Sequence, residues 1–417
     1  MPESTAPVLE RPAGPSPSLA KVLADIGPGY AVNGLVGFIF AATGPVAIVL
    51  ASGSQGGLGQ AELASWLFGA FFLNGLVTIA LSWRFRTPLV IFWTIPGTVL
   101  VGQALLHTPH AEVIGAFVAT GLFVTVLGLS GWMRRAQALL PMPIVMAMVA
   151  GVFLRFGLDL VRAVHHDPAV AGPMVLAFVL LSALPRLARW LPPIIGALLI
   201  GAIAVAITHP IDWSAASSLS IVAPRINLPV FSWRACLELV VPLAVTVLVV
   251  QNAQGYAVLK TTGHDAPVNW VTLACGLTSI VSAFVGTVSS CLTGPTNALV
   301  SSSGTPGRHY TGAIVVGLLA LAFGLFAGTA TSLMLAAPKA YIGALAGLAM
   351  LKVLQSAFAS AFRDRFALGA LVTFLVTVAD LPILNIGAPF WGLMLGLAVA
   401  WLLERPDFRI RQGPGAN

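Results

Sequence analysis

Apolar positions in this chain run in blocks about as long as a bilayer is thick, and polar positions gather between them. The blocks predict fourteen spans, each near the ~20 residues that cross a hydrocarbon core. In the first half they cover about 32–52, 62–82, 88–106, 111–131, 143–163, 169–186 and 191–208. In the second half they cover about 236–259, 269–286, 287–303, 310–330, 333–354, 366–381 and 385–403. The expected fold class is an all-α integral membrane protein built as seven plus seven segments. Residues 25–208 form the first repeat and 236–404 the second. The stretch 209–235, with Asp212, Arg225 and several Pro and Ser, reads as the connector. Residues 405–417 are a tail. Residues 1–24 open on a Pro-, Ser- and Ala-rich stretch without an apolar signal-peptide segment, and read as a disordered tail.

Two blocks break the pattern. Thr87–Leu106, TPLVIFWTIPGTVLVGQALL, is β-like through Pro88–Ile95, breaks at Pro96-Gly97 and restarts at Thr98. Thr287–Gly304, TVSSCLTGPTNALVSSSG, is extended over Val288–Leu292 and breaks at Gly294-Pro295. It can then start a short helix, with Thr293 as N-cap and Pro near the first helical position. Extended backbone at membrane depth is tolerated only where it is buried in protein or lines a cavity. A half-helix that begins there points free N–H groups and a positive dipole end at that cavity. Two such segments in corresponding halves are the sequence mark of a secondary transporter's binding site.

Composition and charge sharpen this. At 58% hydrophobic and 8% charged, the chain is no soluble domain. Its net charge of +7 would suit nucleic acid, but the positions of the basic residues speak for topology instead. With the N-terminus inside, only Arg155, Arg162, Arg225, Arg234 and Lys339 of the 21 basic residues fall outside or within spans. This requires an even span count and both termini in the cytoplasm. It also inverts the second repeat, so that the half-helices of segments 3 and 10 begin near the midplane and face each other. Cys236, Cys275 and Cys291 lack CxxC spacing and read as small core residues. All seven histidines are expected in loops. No Ser/His/Asp set, HExxH or metal cluster is present, which argues against a membrane enzyme and against a metal or other cofactor.

The candidate substrate-binding residues lie on four segments. Span 1 offers Phe40, Thr43 and Gly44. The first broken segment offers Thr94, Pro96, Gly97 and Thr98. The second offers Thr293, Gly294, Pro295, Thr296 and Asn297. Span 8 carries three amides, Gln251, Asn252 and Gln254, in an otherwise apolar run. A buried amide without a partner costs about 1–3 kcal/mol, so either substrate or a neighbouring helix must satisfy these. Gln251 and Gln254 share a helix face, and Asn252 points about 100° away, toward span 1 or a half-helix. The proton-coupling candidates are Asp159 and Glu238. Each follows an arginine by four residues, Arg155 and Arg234, so a plain i, i+4 pair is the competing reading.

The run RTPLVIFWTIPGTVL resembles the Arg-x-Pro … Trp-x-x-Pro-Gly stretch of the benzoate/proton symporter (BenE-type) family. VVQNAQGYAVLKTTGH resembles that family's Gln-Asn-x-x-Gly-x-Ala-Val-Leu segment, and CLTGPTNA its Cys-Thr-Gly-Pro-Glu-Ala-His segment. The likeness runs from about Asp25 to Leu403. It implies a uracil-permease-like fold of two inverted repeats, with a core of spans 1–4 and 8–11 and a gate of spans 5–7 and 12–14. It further implies elevator movement, a homodimer, a bacterial inner membrane and a small aromatic carboxylate as cargo. The chain departs from the family pattern at Thr296 in place of Glu, Ala298 in place of His and Gln254 in place of Pro. The lost Glu and His are the groups one would nominate for proton coupling. A nucleobase-like or other polar neutral cargo therefore stands as the alternative.

Overall fold

A computed structural model describes residues 9–12, 14–131, 141–184, 186, 191–209, 221–302, 304–363, 365–381, 383 and 388–410. Arg134, Arg135, Arg189, Asp212 and the tail beyond 410 lie outside them. The chain opens with a short helix α1 (Leu19–Asp25). Among the described residues, seven helical runs are long and apolar enough to cross a membrane. They are α2 (Pro28–Ala42) with α3 (Gly44–Gln55), α4 (Gln60–Phe68) with α5 (Asn74–Phe85), α7 (His110–Ser130), α8 (Met142–His166), α11 (Trp233–Val245) with α12 (Ala253–Thr261), α15 (His309–Leu325) and α17 (Lys339–Ala361). Five shorter apolar helices join them: α9 (Pro168–Ala183), α10 (Pro193–Thr208), α13 (Val268–Ala283), α18 (Ala367–Ala379) and α19 (Ala388–Leu403). α16 (Ala327–Leu335) and α20 (Arg405–Ile410) are short.

The two broken segments are strand plus half-helix, as their composition predicts. β1 (Ile91–Trp93) leads into α6 (Ile95–Ala104), and β2 (Ser290–Leu292) leads into α14 (Gly294–Val300). The strands pair antiparallel, with Ile91 opposite Leu292, Phe92 opposite Cys291 and Trp93 opposite Ser290. Bonds from Thr94 N to Ser289 O (2.9 Å) and from Thr293 N to Val90 O (3.1 Å) extend the ladder at both ends. A left-handed residue turns the chain into each strand, Arg86 (φ 53°) after α5 and Gly286 (φ 80°) after α13. At Gly286 that conformation suits a residue without Cβ.

A two-stranded sheet has two open edges, and here both are closed by side chains. Thr78 of α5 both accepts from Ile91 N (2.9 Å) and donates to Ile91 O (3.1 Å). Ser82 accepts from Leu89 N. On the other edge Asn252 accepts from Leu292 N (2.7 Å) and Ser279 of α13 accepts from Ser290 N (2.9 Å). Asn297 of α14 closes the end of β1, accepting from Val90 N and donating to Val90 O and Thr293 O.

Packing sorts the helices into two bundles. α2 to α7 and α11 to α15 surround the strands, while α8, α9, α10, α17, α18 and α19 pack chiefly on one another. The bundles meet along a seam where α3 touches α17, α6 touches α8, and α11 touches α19. Span 1, expected as one continuous helix, is broken at this seam. Thr43 (φ −103°, ψ −94°) interrupts it, and Pro45 restarts the helix as α3. Predicted span 12 also shifts. α17 begins at Lys339, directly after Pro338, and the residues before that proline belong to the separate helix α16.

The loops and the N-terminal tail differ from expectation. Residues 19–24, assigned to a disordered tail, form α1 together with Asp25, which bonds Lys21 Nζ (2.9 Å) and Tyr310 OH (2.8 Å). Further upstream, Glu10 caps α13 by accepting from Asn269 N and Trp270 N. Residues 221–232 of the connector run extended along the strand-bearing bundle, tied through Arg225 N to Ser65 and Asn227 N to Phe284 O. Not every histidine is in a loop. His110 begins α7, His165 and His166 end α8 and His309 begins α15. His264 and His309 are buried with ring nitrogens 3.0 Å apart.

Two outcomes are expected. Asn297→Ala or Thr78→Val each leaves buried backbone groups unmatched and should lower the unfolding free energy by about 1–3 kcal/mol in a detergent unfolding titration. Exposed Ser54→Ala should change it by under about 0.5 kcal/mol. His264 lies in the loop after α12, where burial and then the nearby His309 push its pKa down to about 4 from 6.5. The unfolded chain therefore takes up a proton in that window that the folded chain refuses. Stability should fall as pH drops from 6.5 toward 4, by up to about 3 kcal/mol, and His264→Gln should flatten the dependence.

Candidate functional site

The two half-helices start at opposite ends of the strand ladder. Four residue steps separate the pairs Val90–Thr293 and Thr94–Ser289, so the starts lie about 13 Å apart. The helices run away from the ladder in opposite directions, and their positive ends point back toward it. Thr94 is the N-cap of α6: its Oγ1 accepts from Gly97 N (3.2 Å), and its carbonyl accepts from Thr98 Oγ1 (3.0 Å). Pro96 sits in the first turn, where its missing N–H costs nothing. At α14, Thr293 Oγ1 donates to Thr296 Oγ1 (3.3 Å), Pro295 is again in the first turn, and Thr296 packs its methyl near Gly37 of α2.

Span 8 bridges the two starts. It passes through a π-helical turn, Thr246–Asn252, between α11 and α12. Thr94 Oγ1 donates to Thr246 Oγ1 (3.0 Å) at one end of the ladder. Gln254 packs its side chain over Gly294 at the other. Thr246 to Gln254 rises about 12 Å along a helix, which matches the ladder. Gln251 lies between these anchors. It is 7% exposed, and its amide makes no hydrogen bond among the described residues.

The structure thus divides the candidates. Thr94, Pro96, Gly97, Thr98, Gln251, Gln254, Thr293, Gly294, Pro295 and Thr296 gather around the strand ladder. Asn252 and Asn297, both fully buried, have their amides engaged by strand backbone and position the site. On span 1, Thr43 donates to the Phe40 carbonyl (3.1 Å), and Gly44 faces Ala349 of α17 at the seam. A Cβ on Gly44 would collide with Ala349.

Both carboxylates find partners other than those the spacing predicts. Asp159 meets Arg162 at 2.9 Å and is substantially exposed. Glu238 is buried and meets His107 at 3.1 Å. Glu238 and His107 line a cavity of about 210 Å³, together with Gln103 and Asp380. Thr246 was not among the sequence candidates, since a lone Thr in an apolar run is inconspicuous and only the π-turn singles it out. Nor were Ser289 Oγ and Ser290 Oγ, which, like Nε1 of Trp93, are buried at the ladder without hydrogen-bond partners among the described residues.

A buried antiparallel strand pair with diverging half-helices, bridged by a polar stretch of a third segment, defines a multi-pass membrane transporter. Comparison with known proteins narrows this. Residues 24–402 match the model of the benzoate membrane transport protein family, and the chain belongs to that family. It is 29% identical over 382 residues to the inner membrane protein YdcO of Escherichia coli (strain K12), covering 90% of this chain and 95% of that protein. It is 27% identical over 380 residues to the benzoate membrane transport protein of Acinetobacter baylyi, with the same coverage. The transmembrane domain of a cyanobacterial bicarbonate transporter, BicA, shares the fold, with a TM-score of 0.61 at 17% identity over 92% of this chain and 99% of that one. SLC26A9 gives 0.61 at 15% identity, over 92% and 67% of the two chains.

The unpaired amide of Gln251 and the engaged amide of Asn252 should respond oppositely. Gln251→Met should leave stability unchanged or slightly raised while ligand-induced stabilisation is reduced. Asn252→Leu should lower stability by about 1–3 kcal/mol. Thermal unfolding with and without benzoate reads both.

Proposed function

We propose that this protein is a proton-coupled secondary transporter of a small aromatic carboxylate, benzoate first among them, in a bacterial inner membrane. The observation that carries the reading is the strand ladder flanked by two half-helix N-termini. Such ends attract an anionic head group without a fixed cation, and no basic side chain is needed beside them. Gln251, 7% exposed and with its amide free of protein partners among the described residues, is placed to orient the ligand. The Acinetobacter relative's name gives the cargo class. The strand-bearing bundle corresponds to the core and the flanking bundle to the gate, and sliding at the Gly44–Ala349 seam is the elevator step.

Glu238 is the better of the two proton candidates. It is buried, it borders a cavity at the seam, and its His107 partner can share a proton with it. Asp159 is held by Arg162 at the surface. A neutral polar cargo is the second reading, favoured by Gln251 together with the Thr296 and Gln254 departures.

The test is uptake of labelled benzoate into proteoliposomes, with empty liposomes as control for permeation of the free acid. An acid-outside pH gradient should drive uptake in protein-containing vesicles, and a protonophore should abolish the excess. Glu238→Gln should lower gradient-driven uptake by roughly tenfold or more, the loss expected when a positioned proton-transfer group is removed, and retain benzoate exchange. Uptake no faster than in empty liposomes, with a nucleobase carried instead, would replace benzoate by the neutral cargo.

A further inference from the structure

A second cavity, of about 190 Å³, opens on the same seam and is lined by Gln55, Val99, Gln103, Arg155, Phe156 and Asp159 among others. Its walls come from both bundles: Gln55 from α3, Val99 and Gln103 from α6, and Arg155, Phe156 and Asp159 from α8. Spacing alone pairs Arg155 with Asp159, but that carboxylate bonds Arg162 instead. Among the described residues, no carboxylate lies within ion-pair distance of Arg155. Its guanidinium faces only the amide oxygen of Gln55, once that amide is turned to satisfy both groups. Asp380 acts on Arg155 from a greater distance. Gln103 also borders the Glu238 cavity, and its Oε1 is buried without a hydrogen-bond partner among the described residues.

We propose that Arg155, with Gln55 and Gln103, forms an access site that takes the carboxylate of a small organic anion, with Phe156 and Val99 against its apolar part. A guanidinium offers two parallel N–H donors to a carboxylate, a geometry that an ammonium cannot give. The cavity is smaller than the roughly 300–1,000 Å³ typical of drug-sized ligands, so it admits only a small one. Val99 lies within a turn and a half of the α6 start, so the cavity flanks that half-helix. An anion held here also links the two bundles, since Arg155 stands on one and Gln103 on the other. Asp159, neutralised by Arg162, and Asp380 are the acidic groups that oppose it. The site deepens the proposed transport reading, and it relies on that reading only for the ring of the ligand.

The experiment is titration calorimetry on the purified full-length protein at about pH 8, with benzoate, benzamide and acetate as probes. Arg155→Gln should weaken benzoate by roughly 10- to 100-fold, as expected for loss of a charge-assisted contact, and change benzamide less than about twofold. Arg155→Lys should recover part of the affinity. Asp380→Asn, conservative at a left-handed position (φ 51°), should tighten benzoate severalfold. Unchanged benzoate affinity in Arg155→Gln overturns the site and leaves benzoate transport standing. An equal loss of benzamide assigns Arg155 a structural role and also overturns it. Arg155-dependent acetate binding without benzoate binding upholds the site and removes the aromatic cargo. Failure of the wild type to bind any of the anions defeats both.

Discussion

Backbone polar groups at membrane depth must find partners within the protein, because lipid offers none. Helices meet this demand internally. The two short strands at the centre of this molecule cannot, since a two-stranded ladder leaves one edge of each strand open. Thr78, Ser82, Ser279, Asn252 and Asn297 close those edges, and each comes from a helical segment packed against the strands. The positions of α5, α13, α14 and the π-turn of span 8 around the ladder follow from that requirement.

The site inherits its dimensions from the same ladder. Antiparallel pairing fixes where each half-helix begins and which way it points. Span 8 must then touch both starts, and its π-turn sets the phase between Thr246, which meets Thr94, and Asn252, which meets Leu292. An extra residue in a helical turn rotates everything beyond it by about 100°, so Gln251 and Gln254 owe their directions to that turn. Residues that build the site and residues that line it therefore alternate along one short stretch of chain.

Much of this was legible in the sequence because membrane burial makes exceptions conspicuous. Proline and glycine in the middle of two apolar blocks, each preceded by β-branched or small polar residues, marked both half-helices. Three amides in an apolar run marked span 8. What could not be read was pairing. Helical spacing suggested Arg155 with Asp159 and Arg234 with Glu238, whereas Asp159 turns to Arg162 and Glu238 reaches His107, which lies in the other half of the chain. Asn297 looked like a ligand contact, and Asn252 like either a ligand contact or a brace, since an engaged amide and a free one have the same letter code. The break at Thr43 was hidden because apolar residues continue on both sides of Gly44-Pro45, so the stretch passes for one span. The contacts of Glu10 and Asp25 join the first residues to helices made far later, and no local pattern announces such contacts.

The strand pairing also imposes an order in time. β1 enters the membrane long before its partner β2 exists, and a ribosome adds about 5–20 residues per second. Through that interval the first half must hold an unpartnered strand edge, with Thr78 and Ser82 as its own local shelter. Asn297 and β2 arrive only with the second half. Until then the first half carries a strand whose far edge has no backbone partner, and the helices beside it must keep that edge from lipid.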